Sequence, residues 1–91
     1  MSGVQGMELV RGRVVRSLAG HDRGTFFVVL EEAENGSAAL LCDGKRRPLE
    51  RPKRKKRIHL ALTATVVPDS AMNTNREIQR TLRAFAQQGK D

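Results

Sequence analysis

Nine basic residues fall between Lys45 and Arg57: Lys45, Arg46, Arg47, Arg51, Lys53, Arg54, Lys55, Lys56 and Arg57, with Glu50 the one acid among them. The segment is therefore net +8, while the rest of the 91-residue chain holds eight basic and nine acidic residues. The whole formal charge of +7 comes from one short stretch. Lysine and arginine at that density neutralise a polyanion and release its condensed counterions. A plainer reading is a solvated charged strand or a localisation tag. Against it, the run is pinned at both ends, by the Asp43-Gly44 turn before it and an alternating apolar strand after it. Nine crowded like charges destabilise a free small domain, so a compensating anion is expected. If about five to eight phosphates are neutralised, log K falls with log salt at a slope of roughly −4 to −7.

Other chemistries lack their parts. Ser17, His21 and Asp22 crowd into one loop, which is not a triad spacing. His21 and His59 are the only histidines and Cys42 the only cysteine, so no H-x-x-x-H or cysteine pair offers a metal site. No G-x-x-x-x-G-K-[ST] phosphate loop occurs. The expectation is a non-enzyme with no cofactor, metal or small-molecule substrate. Cys42 reads as a small buried residue, and a lone cysteine suits a reducing cytosol. Met1–Glu8 lacks the apolar centre of a signal peptide, and no apolar run approaches the roughly 20 residues that span a bilayer. A cytoplasmic protein with no membrane contact is expected.

The elements that position the charge are short. The apolar fraction is 38%, with three phenylalanines and no Trp or Tyr, so one small core must serve the chain. Leu9–Arg16 has strand character, with Gly12 marking a bulge or bend. Ser17–Gly24 is a loop. Gly20 and Gly24 either make a tight turn or let a polyanion or a protein approach the backbone closely, with His21 and Arg23 as contacts and Asp22 orienting Arg23 or accepting from a loop N–H. Phe26–Leu30 is apolar throughout, so both of its faces must be covered. Asn35-Gly36 signals a hairpin into Ala38–Cys42, and Asp43-Gly44 a second two-residue turn into a cationic strand, Lys45–Leu49. Pro48 and Pro52 exclude a helix and favour edge or extended backbone. Ile58, Leu60 and Leu62 alternate with His59 and Ala61 in a last half-buried strand that turns His59 toward the basic side. Val66–Ala71, with Pro68, reads as a linker. Thr74 and Glu77 have capping-box spacing, and Ile78, Leu82 and Phe85 share one face of a helix over about residues 75–88 that stops before Gly89. That helix is expected to cover the outer face of the Phe26–Leu30 strand or the neighbouring sheet, while docking on a partner protein and a contribution of its arginines to the binding surface stay open. Phe26, Phe27 and Phe85 sit in core-like patterns, so bases are not expected to stack on them. Recognition then rests on backbone phosphates and the shape of a folded nucleic acid, with arginines adding stacking or bidentate contacts. Duplex DNA stays open, without a helix-turn-helix or zinc-finger pattern to favour it.

Residues 12–24, GRVVRSLAGHDRG, followed by Phe26-Phe27-Val28-Val29, resemble the KOW motif. The stretch from Leu41 to Leu60, LCDGKRRPLERPKRKKRIHL, is similar to the corresponding part of KOW-type large-subunit ribosomal proteins and their small bacterial relatives. The resemblance covers about residues 7–63. It implies an SH3-like barrel and binding to RNA, typically ribosomal. The expected fold is mainly β: a small SH3-like (KOW) antiparallel barrel over 7–63, after a flexible lead-in (1–6) and before a linker (64–73) and a C-terminal α-helix and tail (74–91). The expected RNA contacts are the nine basic residues above with His59, Arg16, Gly20, His21, Arg23 and Gly24. Ribosomal RNA is the expected partner of a monomer, with ribosomal proteins as neighbours. The alternative is a protein-interaction module of the transcription and translation machinery, with the basic run as a secondary anchor.

Overall fold

Val14, Val28 and Cys42 form one cross-strand row, and the fold builds outward from it. The structure, a computed structural model, describes residues 7–88. The lead-in expected at 1–6 and the helix stop expected at Gly89 lie outside the described residues.

Strands β1 (Arg13–Ser17), β2 (Phe26–Ala33), β3 (Ala38–Cys42), β4 (Lys53–Lys56) and β5 (Leu60–Val66) make one antiparallel sheet in the order β4-β3-β2-β1-β5. β4 and β5 are its opposite edges, yet only Arg57–His59 separates them along the chain. Three residues reach about 10 Å. The sheet therefore curls until its edges approach, giving a small barrel-like form.

Each face of the sheet has its own core. Val15, Phe27, Val29, Ala39, Leu41 and Leu60 fill the inside with Leu9, and Leu62 packs against them. Val14, Val28 and Cys42 face outward and are covered by Met72 and by Ile78 and Leu82 of helix α1 (Asn75–Gln88). Both faces of the Phe26–Leu30 run are thus occupied, as its unbroken apolarity requires. Fully burying Ile78 or Leu82 contributes about 1.5–3 kcal/mol each, which offsets the marginal stability of a helix this short. Phe26 and Phe85 meet edge to face at 5.3 Å between ring centres. The helix start is the expected reciprocal cap: Glu77 N–H donates to Thr74 Oγ1 (3.1 Å) and Thr74 N–H to Glu77 Oε1 (3.2 Å). Among the described residues, no helix is long and apolar enough to cross a membrane.

Four expectations need correction. First, the opening strand begins at Arg13, because Arg13 N–H closes a turn on Val10 O and Gly12 takes φ +94° inside it. Second, Lys45–Leu49 is a loop rather than a strand. Asp43 Oδ1 accepts from the backbone N–H of both Lys45 and Arg47 (2.9 Å each), and this local capping displaces ladder pairing until Lys53, beyond Pro52. Third, Ile58 is 78% exposed, since Arg57–His59 forms the 3-10 turn that crosses between the sheet edges, and His59 sits on that turn rather than in a strand. Fourth, the stretch expected as a linker contributes to the fold: β5 runs on to Val66, and Met72 is buried under the helix.

Candidate nucleic-acid interface

The Gly20–Gly24 loop is built on Asp22. Ser17, buried at the end of β1, donates its hydroxyl to Asp22 Oδ1 at 2.7 Å. Lys55 Nζ donates to the same oxygen at 3.2 Å and to Ala19 O at 2.9 Å, while Lys53 Nζ stands 3.9 Å from Asp22 Oδ2. Burial pushes the Asp22 carboxyl up, but the Ser17 hydroxyl and the two ammonium groups outweigh it and leave the pKa below the usual value. Asp22 therefore neither orients Arg23 nor caps a loop N–H through its side chain, as the sequence had suggested. It ties the loop to β4, leaving His21 and Arg23 exposed on the outside. Gly20 and Gly24 both take positive φ, and a Cβ on either meets no atom closer than 3.5 Å. Arg16 is exposed on β1, and its guanidinium lies beside Gly24.

Opposite this loop is the segment from Asp43 to Pro52, which α1 clamps. Gln79 Nε2 donates to Gly44 O (2.7 Å), Leu49 N–H to Asn75 Oδ1 (2.7 Å), and Asn75 Nδ2 to Glu50 Oε1 (3.1 Å). The bond from Asn75 lowers the Glu50 pKa. Gly44, at φ +80°, lies directly against the Asn75 carbonyl, where any side chain would collide. Lys45, Arg46, Arg47 and Arg51 project from this clamped loop into solvent.

Between the two loops lies a cavity of about 370 Å³. His21 lines one side, Arg46, Arg47 and Lys53 the other, and Phe27 also contributes. The carboxylates of Asp22 and Asp43 border it too, but Asp22 is engaged by Ser17 and the lysines and Asp43 by the backbone N–H groups of Lys45 and Arg47, so the space suits an anion held by Arg46 and Arg47.

The nine basic residues divide. Among the described residues, Lys45, Arg46, Arg47, Arg51 and Lys56 are exposed and form no ion pair with a carboxylate. Lys53 and Lys55 face the same way as the inner row, opposite Leu41 and Ala39, and turn their amines to Asp22. Arg54 pairs with Glu34 of the β2–β3 turn, and Arg57 Nη2 donates to Met7 O. One cation escaped sequence reading altogether. Arg13 is 7% exposed, held by the carbonyls of Glu8 (2.7 Å) and Thr63 (2.9 Å). Nothing in its spacing separates it from the exposed Arg11 and Arg16.

Among the described residues, no three His, Cys, Asp or Glu side chains converge. Cys42 is buried, and desolvation pushes its thiol up to about 11, so it stays protonated at neutral pH. Compared with known proteins, the chain matches no family model and no curated protein.

Proposed function

We propose that this chain is a non-catalytic RNA-binding protein, ribosome-associated, that holds structured ribosomal RNA by its phosphates. The observation that carries the reading is the cavity between the two loops, where Arg46 and Arg47 meet His21 and Lys53 with no carboxylate paired to either arginine among the described residues. Support also comes from the resemblance of residues 7–63 to KOW-type proteins, and in this reading the barrel-like sheet is an SH3-like KOW barrel. In this reading the protein works as a cytoplasmic monomer beside ribosomal proteins. The free set of Lys45, Arg46, Arg47, Arg51 and Lys56 gives a salt slope of roughly −3.5 to −4.5 if each neutralises one phosphate.

A second reading rests on Ile58 and Leu18, which are 78% and 46% exposed and lie on segments joined by the Leu18 N–H to His59 O bond. Such an apolar pair would dock a protein of the translation machinery. Sedimentation of the tagged protein from its native lysate, at low and high salt, separates the outcomes. Co-migration with large ribosomal subunits that salt strips away is expected. Co-migration that resists salt but fails in Ile58→Asp favours protein docking. A protein that stays at the top of the gradient at low salt overturns the ribosomal assignment.

A further inference from the structure

We infer that helix α1 is a second phosphate-contacting face, continuous with the basic loop, so that the protein grips its RNA on two adjoining surfaces. The inference rests on the RNA reading above and extends it to residues that the KOW resemblance does not cover.

Arg76, Arg80 and Arg83 stand at i, i+4 and i+7, on one helical face. All three are exposed, and no carboxylate pairs with them among the described residues. Helix stability does not account for them. Like charges at i, i+4 oppose a helix, and a cation in the first turn, as Arg76 is, meets the positive end of the helix dipole. The helix's one acid, Glu77, is spent on the N-terminal cap. An anion outside the molecule supplies the missing compensation.

The three arginines do not stand alone. With Gln79 they line a groove of about 270 Å³, and Arg83 also lines a neighbouring groove of about 280 Å³ with Lys45 and Asp43. Asp43 in turn borders the cavity that holds Arg46 and Arg47. The carboxylate of Asp43 interrupts the track, but its Oδ1 is turned to the backbone N–H groups of Lys45 and Arg47. The hydrogen bonds from Gln79 to Gly44 and from Leu49 to Asn75 fix the helix and the loop to each other. The two sets of cations therefore present one preformed surface. A phosphodiester backbone fits it, because a track of separated point charges needs a repeating anion rather than a single one.

The test is the salt dependence of binding by the full chain to a fluorescein-labelled RNA hairpin, comparing wild type, R76Q/R80Q/R83Q, R46Q/R47Q and the combined variant. The helix variant is expected to fold as wild type and to flatten the log K against log salt slope by about 2–3. R46Q/R47Q flattens it by about 1.5–2, and the combined loss is additive. R76K/R80K/R83K, which keeps the charge, retains most of the wild-type slope. A helix variant with an unchanged slope overturns the inference and leaves the arginines to an acidic protein partner, while the loop reading stands. Wild-type protein that fails to bind the hairpin at low salt overturns both together.

Discussion

Lys45–Arg51 and Lys53–Arg57 look alike in the sequence, two cationic stretches separated by a proline, yet the fold gives them opposite tasks. In the first, Asp43 and the helix clamp hold the backbone while the side chains stay free. In the second, strand register decides. Lys53 and Lys55 fall on the inward side of an edge strand and are drawn to Asp22, Arg54 goes to Glu34, and Arg57 to a carbonyl, leaving Lys56 free. Inward-pointing charge on an edge strand also discourages pairing with another chain. Charge density thus marks where a polyanion is attracted, but partner and register decide which cations reach it.

Breaking the clamp has the largest expected effect. Gly44→Ala forces a non-glycine residue to φ +80°, at about 1–2 kcal/mol. The new Cβ also collides with the Asn75 carbonyl, and displacing packed backbone adds about 1–3 kcal/mol. A loss of about 2–5 kcal/mol is expected in urea unfolding, together with weaker RNA binding as the loop loses its attachment to the helix. Gly20→Ala carries only the φ penalty, because its Cβ has room. Equal losses at the two glycines would mean that the helix does not clamp the loop.

Neighbouring lysines give the next test. Lys55→Met keeps the buried stem but removes the amine that serves Asp22 and Ala19 O, at about 1–3 kcal/mol. For a domain of this size each 1 kcal/mol lowers Tm by roughly 4–8 °C. Lys56→Met is expected within about 0.5 kcal/mol of wild type, with the RNA salt slope reduced by about 1. The reverse pattern would show that the register argument is mistaken.

Much of this architecture was legible in the residues. The helix, its cap and its docking face follow from Thr74, Glu77 and the spacing of Ile78 and Leu82, because these signals are local. The unbroken Phe26–Leu30 run required cover on both faces, and it has it. What stayed hidden depends on contacts distant in sequence. Asp43-Gly44 carries the same short-range signal as Asn35-Gly36. Only Asn35-Gly36 becomes a tight hairpin, because Asp43 turns its carboxylate onto the following backbone and Gly44 is held against α1. Ile58 kept the alternating pattern but falls where the chain must cross between sheet edges. The division of the basic run was invisible for the same reason, since Asp22 lies about thirty residues from the lysines it engages.

The smallest effect, and the sharpest on the comparison, is the response to acid. Each half of the basic run touches one carboxyl whose pKa is lowered: Glu50, through its bond from Asn75, beside the free loop, and Asp22, where burial is outweighed by Ser17 and the lysines, beneath β4. A carboxyl with a folded pKa below its unfolded value, about 3.9 for Asp and about 4.3 for Glu, stabilises the fold fully above that value, and the contribution is lost as pH falls through the lower folded one. Asp22→Asn should therefore lower the urea midpoint at pH 7, and the difference from wild type should shrink as pH falls below about 3.9 and through the lower folded pKa. Glu50→Gln should move the midpoint far less, because Glu50 is exposed. If the two variants lose stability equally, Asp22 is no more of an anchor than Glu50, and the second half of the run is as free to meet phosphate as the first.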